Sequence, residues 1–315
     1  MVKLSALPQQ DWLKQSSPVK RLDLKVGYSC INDCLFCVVA DKRPFGDKTI
    51  RQIKDELKDS FEQGIREVVF TGGEVSVRND IFEIVSFARE LGYGNIQIQT
   101  NGCRFSSLPF TKKMIISGMT EFAPALHGHN AGLHDSLTQR PGSWRQTVLG
   151  IHNVRKLGIR ILTNTVITKQ NYRYLPDIAS LLVKLKVDQF QFAFVHIMGN
   201  ALKNYRNIVP RISQVTSYLK KGLDTGIKSG IRVMAEAVPL CLMKGYERYA
   251  SEFYIPNTQI KEVAWQIDSF EEVRKNSGKK KFLSCMECKW DTYCEGPWKE
   301  YPQLFSEKEF TPIPN

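Results

Sequence analysis

The sequence predicts an α/β fold, a partial (β/α)6 barrel followed by a small cysteine-rich C-terminal module, and three observations carry that expectation. Apolar runs rich in Val, Ile and Phe alternate with amphipathic stretches of helical length, the pattern of strands joined by crossover helices in a parallel sheet. Polar or glycine-containing turns follow nearly every strand, at the carboxyl ends where parallel folds assemble their sites. Beyond Pro210 the pattern shifts to one more helix and one short strand, then to a region of Pro, Trp and Cys without clear period.

Six strands are expected, at 22–27, 67–71, 95–100, 120–126, 158–166 and 187–196. Helices fill the intervals at 48–63, 79–91, 108–117, 143–156 and 173–185, each interval being long enough for a right-handed crossover. A helix at 211–228 and a short strand at 231–236 end the periodic part. The expected division is an N-terminal extension (1–20), a core barrel (21–205) and a C-terminal module (206–315) held by something other than core volume.

At 315 residues, with 42% hydrophobic and 24% charged content, the chain can bury one large core with an appendage. No apolar run approaches the roughly 20 residues that cross a bilayer, and the first residues lack the apolar stretch of a secretory signal. The cytoplasm is therefore the expected compartment, with no membrane partner. A net charge of +12 suits nucleic acid, an acidic peptide or an acidic electron-donor protein, and equally a solvated basic surface such as Lys279, Lys280 and Lys281. Eight cysteines in a reducing compartment point to metal or redox chemistry before four disulfides.

Cys30, Cys34 and Cys37 stand on the loop after the first strand, three and then two residues apart, so their thiolates can converge. Soft thiolates select zinc or iron-sulfur centres. Structural zinc usually takes two separated CxxC knuckles, whereas this loop offers three ligands, and three on a four-iron cluster leave one iron open to a small molecule. With Phe36 before the last cysteine, the CxxxCxxC loop resembles the signature of the radical S-adenosylmethionine (SAM) superfamily. The resemblance continues through Phe70-Thr71-Gly72-Gly73-Glu74 (the GGE motif) and Thr100-Asn101-Gly102 after the third strand. Leu126 to Leu149, with His127-Gly128, His134-Asp135 and Pro141-Gly142-Ser143, is similar to the fourth unit of the subfamily that includes enzymes of molybdopterin and pyrroloquinoline quinone biosynthesis. Asn164-Thr165-Val166-Ile167 fits its fifth strand. The likeness covers roughly residues 20 to 200, and the ordered set of motifs is more specific than any one of them.

The resemblance implies a partial barrel of the radical SAM type, with a 4Fe-4S cluster on Cys30, Cys34 and Cys37. It further implies an electron from a flavodoxin or ferredoxin and cleavage of SAM to methionine and a 5'-deoxyadenosyl radical that abstracts hydrogen. Glu74 would receive the SAM amino group, Gly72 and Gly73 would permit close backbone approach, and the loop around Phe36 would meet the adenine. Thr100, Asn101 and Asn164 are further expected cofactor contacts, with His196 and Met198 near the adenine. No residue is assigned as a catalytic acid or base.

A second set, Cys285, Cys288 and Cys294 in SCMECKWDTYCEGPW with Cys241 upstream, resembles the auxiliary-cluster modules called SPASM and twitch. Four thiolates suffice for one closed 4Fe-4S cluster, and equally for a structural zinc. Cys103 reads as a buried or semi-buried free thiol. His127, His129 and His134 suit either a further metal site or hydrogen bonding at the barrel mouth. A peptide or protein substrate is favoured, since auxiliary-cluster enzymes often modify ribosomal peptides. A small metabolite such as a sugar, nucleotide or cofactor precursor is the alternative. A zinc-stabilised nucleic-acid-binding protein is the distant third reading, because no nucleic-acid motif or DNA-reading helix is present.

Overall fold

The computed structural model describes residues 18–314, so the expected N-terminal extension lies, up to residue 17, outside the described residues. Six parallel strands pair in chain order: β1 (Arg21–Lys25), β2 (Glu67–Thr71), β3 (Asn95–Thr100), β4 (Glu121–Pro124), β5 (Arg160–Ile167) and β6 (Gln189–Phe194). The helices between them are α1 (Ile50–Glu62), α2 (Ile81–Leu91), α3 (Leu108–Ser117), α4 (Ala131–Thr138), α5 (Ser143–Lys156) and α6 (Leu175–Lys184). After β6 come two short helices, α7 (Gly199–Lys203) and α8 (Tyr205–Ile208), then the long α9 (Ile212–Lys228). The expected partial barrel is thus present.

Local chemistry explains the elements. Thr49 and Gln52 close a reciprocal capping box at the start of α1, satisfying amide donors that the helix cannot. Gly92, with φ of +98°, ends α2 in a left-handed conformation that costs glycine nothing. On β1, Leu22 and Leu24 are fully buried while Arg21, Asp23 and Lys25 occupy the opposite face. The same alternation runs along β5.

That opposite face is polar. Glu121 bonds Gln97 at 2.9 Å and pairs with Arg160 at 2.7 Å, and Gln191 donates to Glu236 at 2.5 Å. Packed (β/α)8 barrels fill their interior with Val, Ile and Leu. Charges and amides in those positions leave this sheet with one apolar face, against the helices, and one whose polar side chains pair with one another.

The chain beyond residue 205 joins the same sheet at both margins. β7 (Arg232–Glu236) pairs parallel with β6, and β8 (Thr258–Lys261) pairs parallel with β1 and antiparallel with β9 (Gln266–Ile267). The spatial order is β7-β6-β5-β4-β3-β2-β1-β8-β9. β8 and β9 lie where the sequence pattern shows no period, because four and two residues are too few to establish one. α4 is likewise unexpected as a helix, being only eight residues long.

Candidate cofactor site at the barrel mouth

The cysteine loop has no regular secondary structure and is held by its neighbours instead. The Tyr28 and Ser29 amides both donate to Asp47 Oδ1, at 2.8 and 3.0 Å. Asp33 and Leu35 donate their amides to the last carbonyls of α4, Thr138 and Leu137, at 3.1 and 3.0 Å. Asn200, on α7, donates its side chain to Cys34 O at 3.0 Å and its amide to Cys37 O at 2.9 Å, and Asn204 donates to Leu35 O at 3.1 Å. Gly199 makes that approach possible, since a Cβ there would stand 2.5 Å from Cys37 O.

Gly72 and Gly73 press the β2 turn onto this loop. A Cβ on Gly72 would meet Gly27 O at 2.1 Å, and one on Gly73 would meet Ser29 O at 2.3 Å. The Gly73 and Glu74 amides donate across the contact, to Gly27 O at 2.8 Å and Ser29 O at 2.7 Å. The close backbone approach at this glycine pair is therefore made to the cysteine loop.

Glu74 is buried and receives four donors. Its Oε1 accepts from Ser76 N at 3.0 Å, Ser76 Oγ at 2.5 Å and Thr100 Oγ1 at 2.5 Å, and its Oε2 accepts from Asn101 N at 2.6 Å. Each carboxylate oxygen has about two acceptor sites, and Oε2, with a single donor, retains one for a further donor. Asn101 Nδ2 and Asn164 Oδ1 are buried with no hydrogen-bond partner among the described residues, an arrangement that is costly unless a bound group pairs with them.

Burial pushes the Cys30 thiol up to about 11 and also raises Cys34 and Cys37; Cys30 and Cys34 each also feel the charge of Cys37. Three thiols that resist ionisation in isolation and repel one another when ionised are the donor set that a cationic iron cluster satisfies. Phe36 is buried and meets His127 edge-on, with centroids 4.6 Å apart. His127 and His134 are both kept neutral by burial, and His134 is lowered to about 4. Each accepts a backbone amide at Nδ1, from Val166 and His127 respectively, which suits hydrogen bonding at the mouth.

His196 stacks on Trp298, centroids 3.9 Å apart and 8° from parallel, and lies 3.6 Å from Glu300. Lys279 sits 3.9 Å from the Trp298 ring, and the indole donates to Phe194 O at 3.3 Å. Met198 precedes α7 and is half-exposed. Of the expected contacts, Glu74, Thr100 and Asn101 are thus bonded together beside the cysteine loop, whereas His196 is engaged by the C-terminal segment. Asp47, Gly199, Asn200 and Asn204 had no sequence signal beyond Gly199-Asn200 directly following Met198.

The four C-terminal cysteines surround one cavity. Cys241, Cys285, Cys288 and Cys294 all line one pocket. Backbone amides of Leu240, Phe282 and Ile313 each lie 3.4 Å from a sulfur, those of Cys294, Cys285 and Cys288. Burial raises Cys241 to about 12, with the other three thiols adding to it. Among the described residues, no three of His, Cys, Asp or Glu stand at the spacing of a single metal ion. Cys103 is buried, its thiol 3.9 Å from Thr147 Oγ1.

The family model described as the Radical SAM superfamily matches residues 24–182, half of the chain. The PqqA peptide cyclase of Bradyrhizobium diazoefficiens is 27% identical over 199 residues, covering 61% of this chain and 50% of that protein. The chain spans about half the length of this curated relative. Among solved structures, Streptococcus suis SuiB bound to the precursor peptide SuiA superposes with a TM-score of 0.67 at 16% identity, over 94% of this chain and 75% of that one. Native anSMEcpe with bound AdoMet gives 0.65 at 13% identity, covering 92% of each chain.

Proposed function

This chain belongs to the Radical SAM superfamily, whose members use SAM and a 4Fe-4S cluster, and on that premise we propose that it modifies a peptide or protein substrate by SAM-derived radical chemistry. The observation that carries the reading is the tie between the loop bearing the three thiols and the turn bearing the buried Glu74, made by hydrogen bonds from the Gly73 and Glu74 amides to the carbonyls of Gly27 and Ser29. When bound, the cluster supplies the electron that cleaves SAM to methionine and a 5'-deoxyadenosyl radical, which takes hydrogen from a substrate carbon.

The residues have separable tasks. Cys30, Cys34 and Cys37 would ligate the cluster. The free acceptor site on Glu74 Oε2 suits the SAM amino group, and Asn101 Nδ2 and Asn164 Oδ1 offer a donor and an acceptor to its other polar groups. Phe36, buried edge-on against His127, would keep water from that side of the loop. Cys241, Cys285, Cys288 and Cys294 would hold an auxiliary 4Fe-4S cluster, for which four thiols lining one pocket, with three backbone amides 3.4 Å from their sulfurs, are suited. In this division the barrel (21–205) performs SAM chemistry and the module (206–315) carries electrons.

A peptide is favoured because one relative is a peptide cyclase and one structural neighbour is bound to a precursor peptide. The test combines iron content with 5'-deoxyadenosine formation under dithionite. About eight iron atoms, falling by about four with loss of deoxyadenosine when Cys30, Cys34 and Cys37 become Ala, is the expected result. About four iron atoms with one zinc would make the C-terminal site structural. Zinc alone without SAM cleavage would overturn the proposal. Consumption of added sugars or nucleotides while peptides stay inert would move the substrate to the metabolite class.

A further inference from the structure

A second cavity, of about 260 Å³, opens beside the cysteine loop and is lined by Ile31, Arg104, Ser106, Ser107, Arg140 and Gln146. Ile31 directly follows Cys30 and is 40% exposed, so one wall of the cavity is the cluster loop itself. Arg104 is fixed in place: its Nη1 donates to Ser76 O at 2.6 Å and its guanidinium lies 4.5 Å from the Phe110 ring centre. Arg140 is steadied by Gln146 Oε1 at 3.4 Å. Neither arginine meets a carboxylate among the described residues.

A guanidinium carries five N–H donors in a planar fork, and each of these two spends one. Two such forks beside two serine hydroxyls make a receptor for carboxylates. The thiol of Cys103, which also lines the cavity, feels the charges of both Arg140 and Cys30, which places Arg140 and the cluster loop in one electrostatic neighbourhood. A net charge of +12 over the chain draws in a negatively charged protein from a distance, and this cavity gives it a place to dock.

We infer that this cavity docks the acidic surface of a one-electron donor protein, with Arg104 and Arg140 receiving its carboxylates and Ile31 meeting its apolar rim. The inference rests on the radical SAM reading and adds to it the route of reduction. One electron leaves the reduced donor, which is oxidised by one electron, and enters the cluster on Cys30, Cys34 and Cys37.

The experiment compares two reductants on the reconstituted full-length protein, reduced flavodoxin and dithionite, by initial rates of 5'-deoxyadenosine formation, and reads the Kd of flavodoxin by calorimetry without turnover, which is expected to move with the KM. Arg104→Glu with Arg140→Glu is expected to raise the KM for flavodoxin at least about tenfold and to leave the dithionite rate within about twofold. Lys184→Glu with Lys228→Glu makes the same charge change at the C-terminal ends of α6 and α9, which lead into β6 and β7, and is expected to leave that KM unchanged. An unchanged KM in the arginine variant overturns the docking site, as does an equal rise in the lysine variant. A parallel loss of the dithionite rate overturns it too, assigning Arg104 to support of the Glu74 turn through Ser76. Should the double variant fail to fold, Arg140→Glu alone, whose side chain bonds only Gln146, decides by the same comparison. Absence of deoxyadenosine from the unmodified protein under dithionite is a separate failure, that of the radical SAM reading.

Discussion

The buried carboxylate of Glu74 accepts the Asn101 backbone amide at 2.6 Å, tying the turn after β2 to the turn after β3. Through its own amide, which donates to Ser29 O, the same residue holds the cysteine loop. One residue, by its side chain and its own amide, therefore couples three strand ends.

Glu74→Gln tests that coupling. A neutral amide presents one oxygen and one NH2 to four converging donors, so at least one donor is left facing another. Unfolding free energy is expected to fall by about 2 kcal/mol, read from urea denaturation. SAM affinity should fall about tenfold or more, read by equilibrium dialysis on the reconstituted protein. Unaltered values of both would remove Glu74 from the SAM site.

Gly73→Ala should damage the cluster loop without touching a cysteine. Its Cβ would sit 2.3 Å from Ser29 O, a backbone atom that cannot swing aside. A loss of about 1–3 kcal/mol is expected from such overpacking, together with reduced iron uptake on reconstitution. Gly132→Ala, on α4, whose Cβ would meet nothing nearer than 3.5 Å, is the control and should keep full iron content.

The histidine pair predicts acid sensitivity. Burial lowers His134 to about 4, so the unfolded chain, whose histidines titrate near 6.5, binds more protons than the folded one between those values. The stabilisation is complete above pH 6.5 and is lost as pH falls toward 4. At pH 5 about 2 kcal/mol should be gone from this residue, with His127 acting in the same direction. Urea midpoints at pH 7.5 and 5 measure it, and His134→Asn, which keeps an acceptor for the His127 amide, should flatten the dependence. Equal pH dependence in both proteins would contradict the assignment.

Trp298→Ala should loosen the C-terminal segment from β6. It removes the His196 stack, the Lys279 contact and the hydrogen bond to Phe194 O together. The expected cost is about 3–5 kcal/mol, and limited proteolysis should cut first beyond residue 205. Cleavage confined to the barrel would show that this segment is held elsewhere.

Much of the barrel was legible because its signals are local. Val68, Phe70, Ile96 and Ile98 announce buried strands, and the observed β2 and β3 have the expected bounds. The helix at 108–117 is also matched, with Ser107 as its N-cap. α4 escaped notice because eight residues bearing Gly132 and His134 show too little period. β8 escaped because its Gln259 and Lys261 look solvent-facing, whereas they are buried by bonds to Ser60 and Asp59 on α1.

By itself, the sequence determined what neighbours along the chain dictate. Three thiols share one loop, two glycines precede an acid after the second strand, and apolar runs alternate with helices. Such features depend on spacing and side-chain type alone. Tertiary structure decided which distant groups meet: Cys241 with Cys285, Cys288 and Cys294 around one cavity, Asn200 with the carbonyls of Cys34 and Cys37, and His196 with Trp298 instead of open solvent. These pairings form when the sheet brings its carboxyl ends together and the chain returns to both margins, so their partners, far apart in sequence, share no local period.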